Sequence, residues 1–553
     1  MSRRDARMPA ILFLLAVAVF ANSLGHDFVW DDTAAIRDNP FLVSPGAWWR
    51  CFGRDFGLEL NRVPVGYYRP LVFLSFVLNH AAGGLRPFAY HLTNVLLHGL
   101  NTLLVFWLIA RLTNRRTGAL AAALFAVHPV HAESVAFIAG RSDLLCACFL
   151  LLSVLAIVRS FEARHGARAV WSVAGLLAYG AALLSKEMAI ALPGVLIAYG
   201  LIHRYRIRTL LRLCAPATVL ALVYLGFRSC FFPMAGIGHT GGLSASELVG
   251  RAARLLFLYA AQQAFPVVPT LGAEILTRHL WVDVTAVVLL VLLVSIARPR
   301  RRAAESLVWM AGFLAPVLWV NMFSRIDLND RFAYVPSIGV CALAAVGAAW
   351  YWERQRLSRL VVIVVMIAFA ALSFNYSRMW RDAITLWNAG IAYHPQCGRC
   401  YFNLGYAYWQ VDKRSEAVLT LRAAARLLPD DERRSWAYAN MAQILAEAGE
   451  DILAIATARR SLEIRPGQIA FRRWFASFLS DLGRHGEAIV ELEMAQKFAP
   501  KDGEVCLDLA QEYLAAQPPQ VERARETYQR ALELGAKPDE SIETTLKKEG
   551  IAK

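Results

Sequence analysis

RLTNRRTGALAAALFAVHPVHAESVAFIAGRSDLLCACFLLLSVLAIVRSFEAR, residues 111–164, describes a chain that crosses an apolar layer and comes back. Two apolar runs, at about 117–131 and 141–158, meet at a polar turn. Arg111, Arg115 and Arg116 precede the first run, and Arg159 and Arg164 follow the second. The turn between them holds His128, Pro129, His131, Glu133, Arg141 and Asp143. A soluble amphipathic helix spreads its charges along one face. These runs carry theirs only at the ends, as helices that cross a bilayer do.

The same alternation extends in both directions. Apolar spans are predicted at about 9–24, 89–111, 117–131, 141–158, 170–185, 188–203, 209–228, 281–297, 305–323, 333–351 and 358–375, eleven in all. Arginine clusters fall on one side of them. They are Arg3, Arg4 and Arg7, the Arg111 and Arg159 groups (the latter running to Arg168), then Arg204 to Arg212, Arg298 to Arg302, and Arg354 to Arg359. The positive-inside bias assigns that side to the cytoplasm. Opposite lie Asp31-Asp32, Tyr68-Arg69, His91, the 128–133 turn, Arg141, Asp143, Lys186-Glu187 and Arg325 to Arg331. A convergent polar set at one membrane face is the pattern of an active site.

Composition agrees. Of 553 residues 57% are hydrophobic, and mean hydropathy is +0.41, too apolar for a soluble protein of this length. The net charge of +15 resides mostly in loop arginines, so it is topological and does not point to nucleic acid. The first span, Pro9 to Leu24, has the length of a signal peptide but no convincing cleavage site, and an uncleaved anchor is expected. Residues 229–280 hold one more apolar segment, Leu255 to Val268. Parity of the arginine clusters argues against a crossing there, and an interfacial amphipathic helix is predicted. An odd span count places the tail opposite the N-terminus. Fifty arginines against eight lysines suggest a GC-rich bacterial genome, hence an inner-membrane protein with a periplasmic tail.

Beyond about residue 376 a repeat appears. Pro395, Pro429, Pro466, Pro500 and Pro538 are spaced 34, 37, 34 and 38 residues apart. Tyr401, Leu404, Gly405, Tyr408, Ala417, Leu421 and Ala424 occupy tetratricopeptide positions 4, 7, 8, 11, 20, 24 and 27. Phe475, Ala476, Leu479, Ala488, Leu492 and Ala495 repeat the pattern. Small residues are needed where the two helices of a unit touch, and large ones fill the neighbouring holes. Ala383, Trp387 and Gly390 form a half-repeat that follows the last span without a flexible linker. The expected architecture is all-α: a polytopic helix bundle over 1–375 and a non-cytoplasmic tetratricopeptide α-solenoid over 376–553. Of nine cysteines, Cys397 and Cys400 form a C-x-x-C pair, open to a local disulfide or to two unpaired thiols.

Among the polar residues, Asp31 and Asp32 can supply a general base that takes a proton from an acceptor hydroxyl; a solvated loop or helix cap is the alternative. His91, Asn94 and His98 stand at i, i+3 and i+7 of one helix face. His128, His131 and Glu133 have spacing able to hold a divalent metal, with His91 or His98 joining; a hydrogen-bonded turn enforced by Pro129 is the alternative, and no motif demands a cofactor.

Taken in order, FVWDD (28–32), YYRP (67–70), YHLTNVLLH (90–98), HPVHAE (128–133), AGRSDLL (139–145), LLSKE (183–187) and RFAYVPS (331–337) resemble the transmembrane O-mannosyltransferases that target cadherins, and their bacterial relatives. These are GT-C-type glycosyltransferases with C-terminal tetratricopeptide repeats. The resemblance implies transfer of a hexose from a polyprenyl-phosphate donor to a protein hydroxyl on the non-cytoplasmic face. It puts the base at Asp31 or Asp32, although the related protein O-mannosyltransferases carry an Asp-Glu pair where this chain has Asp-Asp. A lipid phosphate leaves with negative charge and needs cations rather than a general acid. Arg69, Arg141, Arg331 and Lys186 are the donor-phosphate candidates, with Arg251 and Arg325 behind them. Tyr68, His91, Asn94, His98, His128, His131, Glu133, Asp143, Glu187 and Tyr334 complete the candidate site. A single displacement inverts the anomeric centre. The expected partners are the donor lipid, membrane lipid and a protein or peptide acceptor held by the repeats. Two rival readings are a membrane-anchored repeat scaffold, which needs one span and not eleven, and a ligase for whole lipid-linked glycans.

Overall fold

The computed structural model describes residues 3–55, 66–232, 244–266, 268–270, 280–323, 329–352 and 356–551. These are helical throughout, with no strand among them. Arg325 lies outside the described residues. The chain divides into two compact units, 1–394 and 395–553.

The first unit is a bundle. Its helices are α1 Arg3–Phe20, α2 Pro70–Gly83, α3 Pro87–Leu112, α4 Arg115–Ala126, α5 Arg141–Glu162, α6 His165–Leu183 and α7 Leu192–Ile202. There follow α8 Ile207–Phe231, α9 Ala245–Ala264, α10 Leu280–Ile296, α11 Arg300–Phe323, α12 Tyr334–Trp352, α13 Arg356–Met379 and α14 Ala383–Tyr393. All eleven expected spans fall on helices. By length and apolarity seven of the described helices can cross, and the bent pair Arg115–Ala126 and Pro129–Ala136 makes an eighth. The stretches expected at 188–203 and 281–297 are helices at the short end of what crosses. The expected span at 305–323 lies in α11, whose head carries Arg300, Arg301, Arg302 and Glu305.

Local chemistry fixes the opening hairpin. Asn114 caps α4, its side chain accepting the Thr117 N–H at 3.0 Å. Gly118 lets α4 approach α3 closely: a Cβ there would meet the Ala110 amide nitrogen at 2.7 Å and the Phe106 carbonyl at 2.8 Å. Pro129 interrupts the ladder at the far end, and the chain bends by 53°.

Two elements lie outside the predicted spans. Helix α2 is a short apolar helix within the first polar loop; it buries Val72, Phe73 and Phe76 against Phe28, Ile36, Phe41 and Tyr90. The loop therefore folds as a satellite core and does not trail in solvent. Helix α9 was expected as an interfacial helix. Its second half buries Leu255, Leu258, Tyr259, Gln262 and Gln263, and Gln262 donates to Asp330 at 2.8 Å.

The second unit is the solenoid: α15 Gly398–Gln410, α16 Arg414–Leu427, α17 Asp431–Glu447, α18 Asp451–Ile464, α19 Ile469–Asp481, α20 His485–Phe498, α21 Gly503–Ala515, α22 Val521–Glu533 and α23 Glu540–Ile551. Its small positions are the buried ones: Ala417, Ala424, Ala488 and Ala495 are fully enclosed. At Gly405 a Cβ would meet Leu421 at 2.6 Å. Cys397 and Cys400 are buried, and the Cys397 sulfur caps α15 by accepting the Cys400 N–H at 3.1 Å.

Candidate active site

The Asp31-Asp32 loop is fastened to the turn between α4 and α5. Asp32 is fully buried, and its two carboxylate oxygens accept three backbone N–H groups: Ala139 at 2.8 Å, Val29 at 3.3 Å and Ile138 at 3.4 Å. Burial pushes its carboxyl up to about 8, against the pull of those three donors. Asp31 stays partly exposed beside it. Trp30 takes a left-handed backbone with φ 53°, a strained conformation for a bulky residue. Its ring stacks on Phe137 with centroids 5.5 Å apart, and Phe137 stacks on Trp380 at 4.9 Å. The Trp387 ring meets Trp30 edge-on at 5.5 Å.

Cations gather on this aromatic shelf. The Arg331 guanidinium lies 5.6 Å over both Trp30 and Phe137 and pairs with Glu133 at 3.2 Å. Next to it the Lys186 ammonium lies 4.7 Å over Phe332 and pairs with buried Asp143 at 2.5 Å. Burial lowers the Lys186 ammonium, with Asp143 opposing and Arg69 and Arg331 adding to the fall. Arg69 pairs with Glu187 at 2.9 Å, and Arg228 reaches the same carboxylate at 3.6 Å. Despite desolvation, these two guanidinia hold Glu187 down at about 2. Arg69, Lys186, Arg228 and Arg331 thus face Glu133, Asp143 and Glu187 among the described residues.

Other predicted residues lie under this surface. Arg141 is fully buried, and its donors go to Asn94, Ser75, Asn79 and the Tyr90 carbonyl, at 2.6–3.3 Å. With its fork filled by neutral acceptors, it braces α5 against α2 and α3 rather than facing a ligand. Asn94 donates to the carbonyls of Val135, Phe137 and Ile138, so it sets the turn that holds Asp32. His98 bonds Tyr334 at 2.9 Å, His131 bonds Ser337 at 2.8 Å, and His128 bonds the Gln263 carbonyl at 3.0 Å. They form a buried polar layer joining α3, the 128–133 turn, α9 and α12. His91 is buried against His26, ring centroids 5.8 Å apart. Tyr68 is a brace, stacked on Phe232 at 4.4 Å with its hydroxyl on the Phe52 carbonyl. Among the described residues no group of three or more His, Cys, Asp or Glu is placed to hold a metal ion.

Sequence reasoning missed Arg228 and the Trp30–Phe137–Trp380 shelf. Arg228 had a signal: an arginine at the end of a span away from the basic clusters runs against the positive-inside bias. The shelf had none, since its rings come from three distant segments.

Residues 70–229 match the family described as dolichyl-phosphate-mannose-protein mannosyltransferase, and residues 398–431 match the tetratricopeptide repeat. The chain is 37% identical to human protein O-mannosyl-transferase TMTC2 over 204 residues, covering 36% of this chain and 24% of that protein. Identity to Drosophila melanogaster Tmtc1 is 27% over 542 residues, covering 76% and 62%. With human TMTC4 it is 26% over 465 residues, covering 71% and 62%. The chain therefore spans less than two thirds of these relatives' own lengths. Among solved structures, ArnT from Cupriavidus metallidurans bound to undecaprenyl phosphate aligns over 75% of each chain, at 18% identity and a TM-score of 0.45. The resemblance to the transmembrane O-mannosyltransferases holds: a mannosyltransferase-like membrane region is followed by tetratricopeptide repeats in one multi-pass helical chain.

Proposed function

We propose that this protein is a membrane glycosyltransferase that moves a mannose-like hexose from a polyprenyl-phosphate donor to a Ser or Thr hydroxyl of a protein acceptor. The reaction takes place at the face opposite the arginine clusters, with inversion. One observation carries the reading: the Asp31-Asp32 loop lies beside a cluster in which four cations face three carboxylates. These cations are the groups suited to hold a donor phosphate and the charge it gains on leaving. The names of the relatives support a mannosyl group and a protein acceptor.

The two aspartates divide the work. Asp32, enclosed and holding three N–H groups, is a positioning residue. Partly exposed Asp31 is the base. It takes the proton as the acceptor oxygen attacks the anomeric carbon. The bond from that carbon to the phosphate oxygen breaks with its electron pair, and polyprenyl phosphate leaves. Arg331 and Lys186 stabilise the charge that develops on it, with Arg69 and Arg228 holding Glu187 out of the way. Aromatic Trp30 and Phe137 offer a face for the sugar. Catalysis then needs no metal and no general acid.

The test uses polyprenyl-phosphate [³H]mannose and a pool of non-cytoplasmic host proteins. Asp31→Asn should cut transfer by on the order of 10²-fold or more, the range of a general base. Full transfer by the Asp31→Asn, Asp32→Asn double variant would end the reading.

A further inference from the structure

A cavity of about 350 Å³ opens at the other end of the bundle from the Asp31-Asp32 loop. Its walls are apolar and come from six helices: Ile109 of α3, Ile157 of α5, Leu196 of α7, Leu213 of α8, Trp309 of α11, and Ile338 and Ala342 of α12. At roughly 30 Å³ per methylene-sized group the space takes about a dozen carbons, one acyl chain. The mouth is charged: Arg111, Glu162, His203, Arg302 and Glu305. These residues belong to the arginine-rich face. On α3, His91 and Arg111 lie about 30 Å apart along the axis at 1.5 Å per residue, so this cavity is separate from the site around Asp31.

Two features of the mouth and walls define the occupant. First, charge is unbalanced. The single Glu305 carboxylate touches His203 at 3.0 Å, Arg302 at 2.7 Å and Arg301 at 3.6 Å. Arg111 is already matched by Glu162. One carboxylate cannot neutralise two guanidinia, so among the described residues the mouth keeps positive charge next to an apolar chamber. Second, the chamber lies along a seam. Helix α3 packs on α5 and α7 packs on α11, whereas neither of the first pair packs extensively on either of the second among the described residues; α12 joins them. Within a bilayer, an open apolar seam fills with hydrocarbon rather than water.

We propose that this cavity holds one anionic phospholipid. An acyl chain fills the seam, and the phosphate sits on Arg301, Arg302 and His203. The polyprenyl donor is a poor fit, because its phosphate is required about 30 Å away at the reacting face. The lipid acts as a wedge that ties the α3–α5 pair to the α7–α11 pair.

Native mass spectrometry of the delipidated full-length protein tests this, with phosphatidylglycerol, phosphatidylcholine and undecaprenyl phosphate added singly and in competition. One phosphatidylglycerol should be retained, about tenfold more tightly than phosphatidylcholine, and it should raise the melting temperature. Arg301→Gln with Arg302→Gln, one side chain exposed and the other half-buried at a helix start, should erase that preference, and Arg301→Lys with Arg302→Lys should keep it. Ala342→Phe should fill the chamber and remove the adduct, and Ala342→Ser should keep it. Asp31→Asn should also keep it, which separates this site from the proposed chemistry. Equal retention of phosphatidylcholine, full retention by the double Gln variant, or displacement of phosphatidylglycerol by one equivalent of undecaprenyl phosphate would each overturn the proposal.

Discussion

At the residue scale, neighbouring groups of one type receive opposite roles from their surroundings. Asp31 and Asp32 are adjacent in sequence, yet only Asp32 is enclosed by Val29, Ile138 and Ala139. With its carboxyl pushed up to about 8, Asp32 is protonated below that pH and ionised above it. The ionised form grips the three N–H groups more strongly. Its charge also raises the proton affinity of Asp31 beside it. Transfer should therefore rise as pH increases from 7 to 9, and Asp32→Asn should flatten that rise. A wild-type pH–rate profile that is level over this range contradicts the assignment. Arg141 and Arg331 form a similar contrast. In sequence both are arginines at the polar ends of spans, and spacing cannot reveal that the fork of one is already filled. Arg141→Ala strands Asn94, Asn79 and the Tyr90 carbonyl, and should cost about 3 kcal/mol or more of stability. Arg331→Lys, which keeps a charge opposite buried Glu133 but loses the planar fork, should leave the melting temperature nearly unchanged while raising the KM for donor. Thermal melts and donor titrations of the two variants distinguish these outcomes.

At the element scale, what was legible had a long period and what was missed was short. The spans and repeats declare themselves through apolar runs and through Gly405, Ala417 and Leu421 at fixed offsets. Helix α2 has only 14 residues inside a loop, too few to stand out from a polar surround. The inward turn of α9 depends on Asp330, which accepts from Gln262 and Thr270 and which no local pattern couples to them. The α3–α4 hairpin gives a prediction at this scale. Gly118→Val places a branched side chain against the Ala110 and Phe106 backbone, which cannot give way as a flexible side chain does. Overpacking of this kind costs about 1–3 kcal/mol. A lower melting temperature by size-exclusion fluorescence is expected, and an unchanged one would show that the hairpin has room to spare.

Across the whole molecule, the proposed function divides into two tasks, one for each unit. The sequence boundary was expected at 375/376, and compactness places the division at 394/395, because α14 carries Trp387 onto the Trp30 shelf of the membrane unit. A repeat pattern shows where the repeat begins, but a half-repeat can belong to either side. The role of the solenoid is argued from its architecture: stacked repeats present an extended surface suited to a peptide or protein. Removing residues 395–553 should leave donor binding and slow donor hydrolysis, and should abolish modification of protein acceptors. Transfer to protein acceptors at the full rate would assign the repeats to another task.

The central claim is tested most directly by following the sugar. The purified full-length protein in lipid nanodiscs is given undecaprenyl-phosphate β-[³H]mannose and a Ser/Thr-containing protein acceptor, and the linkage in the product is determined. The account predicts label on hydroxyl side chains in the α configuration, with transfer lost in Asp31→Asn and retained in Ala342→Phe. Label in the β configuration, or undiminished transfer by Asp31→Asn, would contradict it.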